Sequence, residues 1–172
     1  MIANPWDRVE LATGGFSTAA EWRQEFGVQR DFKALVWHDM EGHLAGAIAT
    51  WNQGKADAHL SVLESGEIVL TCLIEDVAWH AGTNATIGRT AFWRRNNINP
   101  HSIGIELEGF TTRPYTAGQA RAVRRIALWA EAKYGIPRVH TVDQIEGQHL
   151  HSELSNQRSD PGPGFGWDWA TG

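Results

Sequence analysis

Three stretches of the chain carry side chains able to bind a metal or move a proton, each where a strand should end. His38 closes the apolar run Ala34-Leu35-Val36-Trp37, and Glu106 lies in Ser102-Ile103-Gly104-Ile105-Glu106-Leu107-Glu108. His149-Leu150-His151 leads to Asp160, set in the rigid turn Ser159-Asp160-Pro161-Gly162-Pro163. Residues two apart on a strand share a side, so His149 and His151 are expected to face together. Two histidines and one carboxylate are a usual ligand set for a catalytic zinc that keeps one position open. Each position also has a plainer reading. A single histidine closing an apolar strand is commonly structural, and a glutamate on a strand usually lies on the solvated face. Spacing alone leaves both readings open.

The composition narrows the classes. Eight histidines in 172 residues stand out, histidine being both a metal ligand and a general base. Fifteen basic against twenty acidic residues give a net charge of −5, which argues against nucleic acid as a partner. No apolar run approaches the ~20 residues of a membrane span, so no membrane partner is expected. The start, Met1 to Arg8, lacks a basic region followed by an apolar stretch, so no secretory signal is expected. The single cysteine, Cys72, excludes an intrachain disulfide framework and a Cys-rich zinc finger. The length suits one domain.

The elements that must position these residues follow from periodicity. Residues 1–30 read as an N-terminal lead-in with one short helix, where Thr18 and Glu21 have capping-box spacing and Trp22 and Phe26 pair before Gly27. Residues 31–172 read as the main α/β domain. Its expected elements are a strand ending at His38, a helix within Glu41 to Trp51, and a hairpin of Ala58–Leu63 with Ile68–Leu73 around Glu64-Ser65-Gly66-Glu67. In the strand Ser102–Glu108, Ile103, Ile105 and Leu107 face one side and Gly104, Glu106 and Glu108 the other. A long helix from Thr116 to Tyr134 has a Thr116/Gln119 capping box, an apolar stripe through Val123, Ile126, Ala127 and Ala130, and a Gly135/Pro137 stop. Its outer Arg121, Arg124 and Arg125 read as a solvated face.

The order and spacing of Trp37-His38, Asp57-Ala58-His59, Ala78-Trp79-His80-Ala81-Gly82, the strand Ser102 to Gly109 and Arg158-Ser159-Asp160-Pro161-Gly162-Pro163 are similar to those of the type-2 zinc N-acetylmuramoyl-L-alanine amidases. The chain resembles that family from about residue 30 to residue 170. The resemblance implies a mixed central β-sheet flanked by helices with a zinc groove over the sheet, residues 31–172 forming the catalytic domain. It implies hydrolysis of the amide joining N-acetylmuramic acid to the L-alanine of the peptidoglycan stem peptide. By the same resemblance His38, His151 and Asp160 hold Zn2+, and Glu106 is the general base. Arg158 stands where the family often has lysine. Arginine stays charged at all working pH, so this residue is expected to act electrostatically and not as a proton donor. His59, His80, Trp79 and Trp93 are expected to line the groove and bind substrate, with core packing the alternative for both tryptophans. The stretch from His151 to Asp160 is one residue shorter than in the recycling amidases, which keeps His149 as the alternative second ligand.

The wording Ser155-Asn156-Gln157-Arg158-Ser159-Asp160-Pro161-Gly162 and the nine tryptophans resemble phage lysins. The expectation is therefore an endolysin, made in the host cytoplasm without a signal peptide and released by a holin to act on the cell wall. An acidic module is repelled by an anionic wall polymer, so beside the peptidoglycan substrate wall affinity is expected from a wall-binding domain outside this chain, from the groove alone, or from a target with little exposed polyanion. The alternatives are a cytosolic muropeptide-recycling amidase and a non-catalytic peptidoglycan-binding module.

Overall fold

The structure, a computed structural model, describes residues 2–12, 31–54, 56–82 and 87–172, so the helix expected around Thr18 to Phe26 lies outside the described residues. Within the expected lead-in, Arg8–Val9 form a two-residue strand, β1. Then follow β2 (Ala34–Asp39), α1 (Leu44–Trp51), β3 (Leu60–Val62) and β4 (Ile68–Leu70). The remaining elements are β5 (Ser102–Leu107), α2 (Ala117–Tyr134), β6 (Gly147–Leu150), α3 (His151–Leu154) and α4 (Trp167–Thr171). The strands form one sheet in the order β1-β4-β3-β5-β2-β6. The β3–β4 hairpin is antiparallel and every other neighbouring pair is parallel, giving the mixed α/β sheet implied by the resemblance.

Strand β2 is buried at every position, as expected for a central parallel strand covered on both faces. Alternation sends Leu35 and Trp37 to one face, with Ile103, Ile105 and Leu107 of β5. There they pack against Val123, Ile126, Ala127 and Ala130 of α2, forming the main core. The indole N–H of Trp37 donates to Gln148 Oε1 at 2.9 Å, so the one polar atom of this buried ring is satisfied. The other face has two smaller apolar clusters. Leu44 and Trp51 of α1 pack with Ala58 and Val69, while Ala34 and Val36 pack with Trp93, Ile98 and Leu154. By the same alternation His38, Ser102, Gly104 and Glu106 belong to this second face.

Helix α2 begins as its sequence predicts. Thr116 Oγ1 accepts from the Gln119 N–H at 3.1 Å, and Gln119 Oε1 accepts from the Thr116 N–H at 3.0 Å. It ends at Gly135 in the left-handed conformation, φ 73°. Arg121, Arg124 and Arg125 are exposed, and Arg125 pairs with Asp7 at 2.6 Å, tying the β1 segment to the helix. No helix among the described residues is long and apolar enough to cross a membrane.

The Thr116 hydroxyl also donates to Glu64 O at 2.6 Å, so one side chain caps α2 and ties it to the β3–β4 hairpin. Thr116→Ala is expected to destabilise the protein by about 1–2 kcal/mol in urea unfolding, the upper end of a cap deletion. An unchanged midpoint would show that neither bond contributes.

Candidate active site

Strand register builds the site. His38 of β2 pairs with Glu106 of β5, and Trp37 pairs with Leu150 of β6, so the next residue, His151, comes level with His38. The three strands are parallel and their carboxyl ends coincide. The connection leaving β2 runs to β3 on one side and that leaving its neighbour β5 runs to β6 on the other, a switch point of the kind at which α/β sheets bind ligands. At His151 the strand gives way to α3. The Ser152 N–H donates to Asp160 O at 2.8 Å, which draws the loop after α3 back over the strand ends and brings in the Asp160 carboxylate.

Three ligand-type atoms converge there. His38 Nδ1 lies 2.9 Å from His151 Nδ1, His151 Nδ1 lies 3.0 Å from Asp160 Oδ2, and His38 Nδ1 lies 3.6 Å from Asp160 Oδ2. A tetrahedral zinc with bonds of about 2.0–2.1 Å holds its ligand atoms about 3.3 Å apart, so these separations fit such an ion. The donor chemistry fits as well. Burial, then the neighbouring His151, pushes His38 down to about 4, keeping it a neutral imidazole with a lone pair to give. Burial works to raise the Asp160 carboxyl, but the hydrogen bonds and charges of His151 and His38 together outweigh this and hold it well below the usual range. Among the described residues, this trio is the one cluster of histidine, cysteine and acidic groups able to hold a metal ion.

Glu106 stands in the same row with a different environment. The residue is half-buried, but its Oε2 is sealed from solvent and has no hydrogen-bond partner among the described residues. Burial, reinforced by Asp160 and Asp39 against the opposing charge of Arg158, pushes its carboxyl up to about 8. Arg158 is exposed at the rim. The trio, Glu106 and Arg158 all line a groove of about 490 Å³ whose far wall is α1, through Gly46, Ala47, Thr50 and Trp51. Glu108 sets that wall. Its Oε1 accepts from the Leu44 N–H at 3.2 Å, its Oε2 from the Glu64 N–H at 3.0 Å, and His43 lies 3.3 Å away.

Several expected substrate-binding residues have other roles. His59 is fully buried, accepts from the Gly104 N–H at 2.9 Å and donates to Asp76 O at 2.9 Å, so it completes backbone bonding within the sheet and does not line the groove. Trp93 is also fully buried, packs with Val36 and Leu154, and donates to Val142 O at 2.7 Å; it is core. Trp79 is half-buried, its N–H held by the Asp57 carboxylate, and it is absent from the groove lining. His80 does border the groove, but both ring nitrogens are engaged, with His38 and with Ser102. His149 stands opposite Val36, two positions back along the sheet, edge-on to Trp93 at 5.2 Å. Its nitrogens lie 2.9 Å from Thr141 O and Ile145 O, which keeps it out of the trio. The α1 wall and the anchoring by Glu108 escaped the sequence reading. Glu108 carried a signal, sharing a face with Glu106 two residues on.

Comparison with known proteins agrees with this geometry. The N-acetylmuramoyl-L-alanine amidase family matches residues 28–163. A relative from Enterobacter cloacae, 1,6-anhydro-N-acetylmuramyl-L-alanine amidase AmpD, is 36% identical over 107 residues, which is 62% of this chain and 50% of the relative. The chain spans about half the length of the curated relatives it matches. A crystal structure of an AmpD derivative superposes with a TM-score of 0.68 at 22% identity, covering 98% of this chain and 96% of that one, a likeness of fold. The amidase AmiD of E. coli, in complex with anhydro-N-acetylmuramic acid-L-Ala-D-gamma-Glu-L-Lys, superposes with a TM-score of 0.64 at 26% identity, covering 80% of this chain and 55% of that one. These relatives overturn the expected localisation. Release by a holin to attack the wall as an endolysin is not supported for a chain whose curated relatives are named for anhydromuramyl substrates.

The raised Glu106 carboxyl makes a prediction about stability. Unfolded, this group titrates near its ordinary 4.5; folded, it holds its proton to about 8. Below pH 4.5 both states are protonated and nothing is lost, whereas between 4.5 and 8 the folded state must keep a proton that the unfolded state releases, so stability falls as pH rises. With chelator present, Glu106→Gln is expected to match the parent's melting temperature near pH 4 and to exceed it by a margin that grows toward pH 8. A constant or shrinking margin in thermal scans across that range would contradict the assignment.

Proposed function

The chain belongs to the N-acetylmuramoyl-L-alanine amidase family, and from that premise we propose that it is a zinc-dependent muropeptide amidase. It cuts the amide between the lactyl group of 1,6-anhydro-N-acetylmuramic acid and the L-alanine of the stem peptide. The observation carrying this reading is the convergence of His38 Nδ1, His151 Nδ1 and Asp160 Oδ2 in the same groove as a buried Glu106 oxygen that has no hydrogen-bond partner among the described residues. The anhydro form is supported by the names of the curated relatives and by the peptide in the AmiD complex. A 1,6-anhydro ring closes C1 in an internal bridge, so such a sugar ends a glycan strand or is a released fragment. The reading is therefore muropeptide recycling. The non-catalytic alternative is disfavoured because the complete ligand trio and Glu106 are all present.

Bound zinc would polarise the amide carbonyl and activate water for attack. His38 and His151 offer imidazole nitrogens and Asp160 a carboxylate, a donor set suited to a divalent cation. Glu106 takes the proton of the attacking water and returns it to the amine nitrogen as the C–N bond breaks, freeing the amino group of L-alanine and consuming one water. Burial raises the proton affinity of this carboxyl, which suits it to return a proton to the leaving amine, and once ionised it is the base that accepts one. Arg158 at the groove rim directs a permanent positive charge at the oxygen on which negative charge develops.

The test is mass spectrometry of products from anhydro-N-acetylmuramic acid-L-Ala-D-gamma-Glu-L-Lys and, in parallel, from intact sacculi. The expected products of the first are the anhydro sugar and a free peptide beginning with L-alanine, formed faster than any release from sacculi. Chelator should abolish the reaction and Zn2+ restore it, while His151→Ala and Asp160→Ala should lose both bound metal and activity. Cleavage between sugars or inside the stem, or full activity of metal-stripped protein, would overturn the reading.

A further inference from the structure

We infer that His80 is a positioning residue: with Ser102 behind it, it sets which nitrogen of His38 carries the proton, and thereby how strongly the trio holds a metal. This rests on His38, His151 and Asp160 being the ligands.

The chain of contacts starts at a carbonyl. Ile98 O can only accept, and the Ser102 hydroxyl donates to it at 2.9 Å. With that proton committed, Ser102 Oγ accepts from His80 Nε2, also at 2.9 Å, so His80 carries its proton on Nε2. A neutral, buried His80 then offers a lone pair at Nδ1, which lies 3.0 Å from His38 Nε2. His38 must donate there. Its Nδ1 is left bare, and that is the nitrogen facing His151 and Asp160. The opposite tautomer of His38 would set two lone pairs against each other at 3.0 Å and place a proton among the three ligand atoms. Metal-binding histidines are commonly fixed by a partner on the other nitrogen; here that partner is a second histidine, itself fixed by a serine.

Strand β5 is shaped to admit this relay. A Cβ at position 104 would lie 2.3 Å from His80 Cγ, so glycine is what lets the ring lie against the strand. Ser102, Gly104 and Glu106 share one face of β5. The serine orients His80, the glycine makes room for it, and the glutamate points at the chemistry. This accounts for Ser-Ile-Gly-Ile-Glu and the distant Ala-Trp-His-Ala-Gly as parts of one device.

The full-length chain is tested by competition with a chromophoric chelator for Zn2+ and by 15N NMR of its histidine rings after metal removal. His80→Leu and Ser102→Ala are expected to weaken zinc binding about 10–100-fold. His80→Asn, whose side-chain oxygen can replace Nδ1 as acceptor, should recover most of that loss. The parent should show His38 protonated only on Nε2, and Ser102→Ala should show both tautomers. A merely structural role would lower melting temperature without this exchange or the asparagine rescue. Parental zinc affinity in folded His80→Leu, or mixed tautomers in the parent, would overturn the inference; should His80→Leu not fold, Ser102→Ala decides alone. Failure of the parent to bind zinc would overturn both this and the metal reading. A parent that binds zinc as expected yet leaves the muropeptide uncut would overturn the amidase reading only.

Discussion

The parallel register of β2 with its neighbours β5 and β6 is the constraint on which the rest depends. Because His38 pairs with Glu106 and Trp37 with Leu150, one row across three strands carries His38, Glu106 and, at the next step, His151. A slip of one residue in either ladder would turn the slipped strand's member of the set to the opposite face, among the leucines and isoleucines under α2. The apolar residues of β2 and β5 hold the register in place, since a one-residue slip of β5 would bury Glu106 and Ser102 in that core. The same alternation therefore stabilises the sheet and aims the chemistry.

Around that row the buried imidazoles have polar partners. His59 and His149 are tied to backbone groups, and His80 links His38 to Ser102. Asp57 holds the Trp79 N–H and so anchors the segment that carries His80. An unpaired buried polar atom is costly, so one left in such a setting points to a task. Glu106 Oε2 is that atom, and its raised proton affinity is the price of keeping a base dry beside a second carboxylate.

The proposed substrate also removes a difficulty raised by the charge. A chain with a net charge of −5 would approach an anionic wall polymer against a repulsive field. A released anhydromuropeptide is small and needs only to enter the groove. No separate wall-binding partner is then required by electrostatics.

Much of this could be read from residue order. The capping box and glycine stop of α2, the alternation in β5, the hairpin around Ser65-Gly66 and the nature of the reactive side chains are local properties, set within a few residues and carried by periodicity and chemistry. So was the family, because its strings survive in order. What local pattern could not supply was which histidines stand together. His38 meets His151 across 113 residues and His80 across 42, while His149, two residues from His151, faces Trp93 and two carbonyls instead. His59 and Trp93 likewise look like groove residues in a motif and prove to be interior ones once their partners are visible. The amino-acid sequence determined which groups were available and the period on which each strand and helix would present them. Only the tertiary structure decided their roles, because a histidine's role depends on what each of its two nitrogens touches, and those contacts are set by strand register and loop closure over long separations.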